Sequence, residues 1–228
     1  MIVALDVDKV EDAVRLVKSM TPLGITHFKV GLNLFTLAGP EAVKAVHRAG
    51  GKVFLDLKFH DIPNTVSKAV SAAARLGVWM TNVHIQGGSA MMRSALAAAQ
   101  GKDLLLIGVT VLTSMNESEW GDLGFRRMLK DQVLSLAELA RSVGLQGVVA
   151  SAQEAKEIRR TCGEDFVIVT PGIRPKRKEE SRDDQQRTAA PLDAIRAGAD
   201  YLVVGRPILD AADPASAAGA IIGDCAEA

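Results

Sequence analysis

Three charged side chains stand in the spacing Asp-x-Lys-x-x-Asp at Asp56, Lys58 and Asp61, directly after the apolar stretch Val53-Phe54-Leu55. Residues two apart on a strand face the same way, so Asp56 and Lys58 are expected to project together, with Asp61 following in the loop. Burying such a mixed-charge cluster costs desolvation energy, which makes it the first place to look for chemistry. A lysine kept protonated by neighbouring aspartates can donate a proton, even to carbon, and can stabilise a developing anion. The aspartates hold the lysine in place and repel an anionic substrate group set against them.

Other chemistries leave no comparable trace. There is no Gly-x-Ser-x-Gly elbow and no His-Glu-x-x-His zinc helix. Cys162 and Cys225 are far apart in sequence, form no metal or redox motif, and read as free thiols in a reducing cytosol. The four histidines do not cluster. His47 falls in a helical pattern and reads as surface or packing, and His27 at the second strand reads as non-chemical. His60 and His84 lie near the proposed site, where structural support is favoured over direct chemistry.

A second signal is Tyr201-Leu202-Val203-Val204-Gly205-Arg206-Pro207. The glycine lets backbone approach an anion, and the arginine adds a guanidinium beside a helix start. A strand-ending glycine followed by a surface arginine is the plainer alternative. With Arg174 and Gln185 from the preceding loop, a phosphate clamp is preferred.

The elements that must position these residues alternate along the chain. Apolar strands are expected at Ile2–Val7, His27–Gly31, Val53–Lys58, Met80–Ile85, Leu104–Leu112, Gly147–Ser151, Phe166–Pro171 and Tyr201–Gly205. Between them, helical spacing marks Val10–Met20, Glu41–Ala49, Thr65–Leu76, Asp131–Val143 and Ala152–Arg160. Strands with two apolar faces imply parallel pairing with helices on both sides. Eight such units in 228 residues imply an α/β fold, a single (β/α)₈ TIM barrel over residues 1–228 with its active site at the carboxyl ends of the strands. No Gly-x-Gly-x-x-Gly fingerprint supports an open dinucleotide-binding sheet. Asp6, Lys29, Asp56, Lys58, Asp61, His84, Thr113, Ser114, Pro171, Arg174, Gly205 and Arg206 then converge as a ring. The charged run 174–187 reads as a mobile lid on the phosphate side, against the alternative of a merely solvated loop.

The 27 basic residues balance 27 acidic ones, so no affinity for nucleic acid or membrane is expected and any anion site must be local. The first residues run straight into a strand pattern with no charged-then-apolar leader, so a cytoplasmic protein is expected. No apolar run approaches membrane-spanning length.

With these residues placed, the chain resembles the orotidine 5′-phosphate decarboxylases, and the bacterial branch in particular. The resemblance is carried by Ala4-Leu5-Asp6, Phe28-Lys29-Val30-Gly31, the run from Asp56 to Thr65, Asn82-Val83-His84 and Val109 to Ser114. It continues through Val169 to Pro175, Asp184-Gln185 and Val204-Gly205-Arg206-Pro207. It implies decarboxylation of orotidine 5′-monophosphate to uridine 5′-monophosphate, the last step of de novo synthesis, without metal or organic cofactor. It further implies that Lys58 protonates C6 of the pyrimidine and that Asp56 lies against the departing carboxylate. Lys29 and Asp6 would hold the ribose, and Thr113, Pro171, Arg174 and Gln185 would line base and phosphate. Gly205 and Arg206 would complete the phosphate site. Asp61 and Thr65 would reach the neighbouring active site of a homodimer. Two departures are visible: Gln86 where the family often has a small residue, and a somewhat long loop from Arg174 to Gln185. Two rivals remain: a magnesium-dependent sugar-phosphate enzyme sharing Asp-x-Lys-x-x-Asp, and a nucleotide-binding protein without turnover.

Overall fold

Eight parallel strands close into a barrel in strand order one to eight in the computed structural model, which describes residues 1–175 and 187–225. The strands are β1 (Ile2–Ala4), β2 (His27–Gly31), β3 (Lys52–Phe59), β4 (Met80–His84), β5 (Leu105–Val109), β6 (Gly147–Val149), β7 (Val167–Thr170) and β8 (Tyr201–Val204). The ring is sealed where β1 pairs with β8, Ile2 opposite Val203 and Val3 opposite Val204. Helices α1 (Val10–Met20), α2 (Leu32–Ala38), α3 (Pro40–Arg48), α4 (Pro63–Arg75), α5 (Gly88–Ala99), α6 (Glu117–Asp122), α7 (Leu129–Val143) and α8 (Ala152–Cys162) follow in chain order. They are succeeded by α9 (Pro191–Arg196), α10 (Arg206–Leu209) and α11 (Pro214–Cys225). The expected (β/α)₈ fold is thus the observed one.

Strand alternation sorts the core into two parts. Ile2, Ala4, Phe54, Met80, Ile107, Val169 and Val203 pack together inside the barrel. The intervening residues, such as Val3, Leu5, Phe28, Val30, Val53 and Leu55, pack outward against helix residues including Val17, Val43, Val46 and Val70. Both strand faces are therefore apolar, as parallel strands covered by helices require. The buried residues of α1, Ala13, Val17 and Met20, lie four and three apart, one stripe of an α-helix.

Most strands end short of the runs expected for them, although β2 matches its run and β3 exceeds it. β1 stops at Ala4 and β5 at Val109, because the residues beyond leave the sheet to form the rim. Thr110 is still tied to β6, its N–H and Oγ1 both donating to the Val149 carbonyl. Helices α5 and α11 were harder to delimit from pattern, since alanine and glycine give little apolar contrast along them. Among the described residues, no helix is long and apolar enough to cross a membrane. Most of the run expected to form a lid, 176–186 with Gln185, lies outside the described residues.

Candidate active site

The same alternation that fills the barrel delivers charge to its mouth. Ala4 and Phe54 point inward, so Asp6 and Asp56, each two residues further on, continue the inner face. Lys29 lies between the outward-packed Phe28 and Val30 and also points inward. Its Nζ is 3.1 Å from Asp6 Oδ1 and 3.5 Å from Asp56 Oδ2. Lys58 Nζ lies 2.8 Å from Asp56 Oδ1. Asp6, Lys29, Asp56 and Lys58 thus form one unbroken chain of alternating charge across β1, β2 and β3.

Asp56 is 8% exposed. Burial alone would raise its pKa. The charges of Lys29 and Lys58, with hydrogen bonds from Lys58 and Asn82, outweigh that effect and hold the carboxyl below its ordinary range. The carboxylate stays ionised at neutral pH.

The Asp56–Lys58 contact does not arise from regular strand alternation. Leu55 pairs with Thr81 and Phe59 with Val83, so Asp56, Leu57 and Lys58 together face the single residue Asn82. Lys58 absorbs the extra length with φ 51°, the only positive φ outside glycine among the described residues. That left-handed conformation costs an ordinary L-residue roughly 1–2 kcal/mol. Asn82 spans the bulge: its Oδ1 accepts the Lys58 N–H at 2.8 Å, and its Nδ2 donates to Asp56 Oδ1 at 2.7 Å. Sequence reasoning noted Asn82 within a motif but assigned it no role. The available signal was an amide two residues beyond the inward Met80, in register with it on β4.

Pro171, Arg174, Gly205 and Arg206 line the same cavity of about 260 Å³, with Gly205 beside Asp6. Thr113 and Ser114 form a wall, and Phe54, Val109, Val169 and Val203 an apolar floor. Gly172 turns the chain with φ 75°. Beyond it the Arg174 N–H donates to the Ala189 carbonyl at 2.9 Å, and the Arg174 Nη1 donates to the Ile173 carbonyl at 2.8 Å. The segment entering the 176–186 run is therefore bound to the segment leaving it.

Not every expected residue reaches this cavity. Asp61 and Thr65 are exposed and lie outside its lining. Asp61 Oδ1 accepts the Ile62 N–H at 2.6 Å, and Thr65 sits in the first turn of α4. Gln86 is exposed in a short 3₁₀ turn and does not line the cavity. His60 and His84 stack loosely beside the mouth with ring centroids 5.4 Å apart. Burial, then the nearby His60 and Lys58, lower the His84 pKa against a smaller opposing effect of Asp56. His27 lies at the start of β2, far along the strand from the mouth, with its ring edge-on to Trp79 at 4.3 Å. Among the described residues, no group of three or more His, Cys, Asp or Glu is arranged to hold a metal.

Residues 1–221 match the Orotidine 5′-phosphate decarboxylase / HUMPS family. The chain belongs to this family. It is similar to an orotidine 5′-phosphate decarboxylase of Vibrio campbellii, 53% identical over 219 residues that cover 95% of this chain and 93% of the relative. One from Legionella pneumophila (strain Philadelphia 1) is 51% identical over 227 residues, 98% of each chain. Among solved structures, the orotidine 5′-phosphate decarboxylase of Lactobacillus acidophilus superposes with a TM-score of 0.85 at 39% identity, covering 99% of this chain and 98% of that one. That of Pyrococcus horikoshii OT3 gives 0.78 at 27% identity, covering 99% of both chains. Membership in the decarboxylase / HUMPS family agrees with the barrel and with the resemblance read from the motifs.

Proposed function

We propose that this chain decarboxylates orotidine 5′-monophosphate to uridine 5′-monophosphate and carbon dioxide, completing pyrimidine nucleotide synthesis in the cytoplasm. The observation that carries the reading is the unbroken Asp6–Lys29–Asp56–Lys58 chain sharing one cavity with two arginines. It joins an acid–base edge to a separate anion clamp, as a phosphorylated substrate with a reacting carboxylate demands.

Breaking the C6–carboxylate bond leaves its electron pair on C6, in the ring plane and outside the π system. Lys58 stabilises that charge and transfers a proton from Nζ to C6 as neutral carbon dioxide departs; solvent then reprotonates the amine. Asp56 stays ionised where the substrate carboxylate must lie. At an effective dielectric of about 20, two like charges ~4 Å apart repel by about 4 kcal/mol. That repulsion is relieved as the carboxylate becomes carbon dioxide. Asp6 and Lys29 hold ribose hydroxyls, Thr113 and Pro171 border the base, and Arg174, Gly205 and Arg206 take the phosphate. Binding energy at the phosphate is thereby available at the remote reacting carbon.

The exposure of Asp61 and Thr65, beside an Ile62 that is 67% exposed, supports their serving the site of a second copy in a homodimer. The reading requires no metal or organic cofactor. A magnesium-dependent sugar-phosphate enzyme is less well supported, because Lys58, Asn82 and Lys29 already engage both oxygens of Asp56. The test is loss of orotidine monophosphate absorbance on addition of purified protein in excess chelator. Absence of turnover there, with turnover restored by magnesium, would overturn the reading.

A further inference from the structure

We propose that Asn82 is a positioning residue for the reaction, holding the Asp56 carboxylate and the Lys58 backbone in their reactive arrangement with one amide. The proposal rests on the decarboxylase reading and adds to it a residue that does not touch substrate. Asn82 is fully buried and does not line the cavity. Its two hydrogen bonds use opposite ends of the amide. The Oδ1 accepts from the Lys58 N–H, fixing the residue at its positive φ, and the Nδ2 donates to the Asp56 oxygen that also receives Lys58 Nζ. A side chain that only accepts, or only donates, cannot do both. The β-bulge removes the regular ladder at this point, so nothing in the sheet pairing sets the angle at which Lys58 leaves the strand.

The groups facing Asp56 are Lys29 from β2, Lys58 from β3 and Asn82 from β4, with Asp6 of the β1–α1 segment beyond Lys29 and His84 and His60 beyond Lys58. Of these, Asn82 is the neutral donor. Removing it leaves both lysines in place and takes one stabilising bond from the ionised carboxylate.

Two variants test the proposal in the full-length protein. Asn82→Leu keeps approximate size and removes both bonds. Asn82→Asp keeps an acceptor for the Lys58 N–H and replaces the donor toward Asp56 with a second carboxylate. In each, kcat should fall on the order of 100-fold, the value of a lost bond to a charged group. Dissociation of uridine monophosphate, measured by calorimetry, should change by no more than about threefold, because its phosphate and ribose contacts lie elsewhere. The acidic limb of the kcat/KM profile should move to higher pH, further in Asn82→Asp than in Asn82→Leu. A purely structural asparagine would lower the melting temperature without moving that limb. Folded variants with kcat within about threefold of the parent and an unmoved limb would overturn the proposal, as would failure of both variants to fold. Inactivity of the unsubstituted protein toward orotidine monophosphate would instead overturn the functional reading. The Asp56 titration, followed by carbon NMR in both variants, would then still decide whether Asn82 tunes this carboxylate.

Discussion

Lys29 reaches the Asp56 carboxylate across a strand boundary by passing over a glycine. The register of β2 and β3 sets Gly31, not Lys29, opposite Asp56. Lys29 nevertheless brings its Nζ to 3.5 Å from Asp56 Oδ2. A Cβ added at Gly31 would lie 2.9 Å from that Nζ and 3.3 Å from Asp6 Oδ1. Gly31→Ala should therefore fold, since the lysine tip can yield, but should displace the ammonium. Displacement of about 1 Å should lower kcat by roughly 10²-fold. Steady-state kinetics beside a thermal melt will show whether activity falls while stability holds.

Lys58→Ala and Asp61→Ala form a pair of tests. Each variant alone should lose at least the 10²–10⁴-fold expected of a general acid or a residue that orients it. If Asp61 serves the neighbouring site, mixing the two variants after mild dissociation should restore activity. A hybrid then holds one site with both residues native, and random pairing yields about a quarter of the native sites. A mixture as inactive as its parts would place Asp61 in its own subunit's chemistry or outside the chemistry altogether.

Arg206→Ala should damage the reaction of the phosphorylated substrate through both KM and kcat, by about 10²-fold or more in kcat/KM. The same substitution should leave turnover of phosphate-free orotidine unchanged from its own low level. An equal loss on both substrates would remove the arginine from the phosphate clamp.

Arg187 and Glu154 form a buried ion pair, Nη1 to Oε1 at 2.5 Å. Burial pushes the Glu154 carboxyl upward, against the pull of Arg187. Arg187 Nη2 also donates to the Leu112 carbonyl at 3.3 Å, next to Thr113 in the cavity wall. Arg187→Met leaves the carboxylate unpaired and should cost about 3–5 kcal/mol. Urea denaturation at neutral pH gives the value. The cost should shrink toward acid pH, where protonation relieves the lone carboxyl.

Three histidines, His27, His47 and His84, have pKa values lowered chiefly by burial. The unfolded chain binds their protons near pH 6.5, whereas the folded chain does not. Stability should therefore fall as pH drops below about 6.5 and continue falling down to the folded pKa values. His27→Phe keeps an aromatic ring against Trp79 and should flatten that slope below about pH 6.5. Denaturation midpoints across this interval will show it, and an unchanged slope would exclude His27 as a contributor.

Much of the site is legible in the sequence. Asp6 and Asp56 stand at the ends of apolar strand patterns, so both could be assigned to the barrel mouth from that position. The spacing rule was less secure for Lys58. It meets Asp56 as expected, but through a bulge and a left-handed residue that a strand pattern does not display. Gln86 could have filled the mouth or turned away, and only its placement in an exposed turn separates the two.

The family, the eightfold repeat of strand and helix, and the charged residues that converge at the strand ends are all written in local period and residue type. Tertiary structure alone decided that Asn82 bridges Asp56 and Lys58 and that Gly31 makes room for Lys29. It also decided that Glu154 pairs with Arg187. Those relationships join positions 24 to 33 apart in sequence, or depend on the register between neighbouring strands, and no local pattern encodes either.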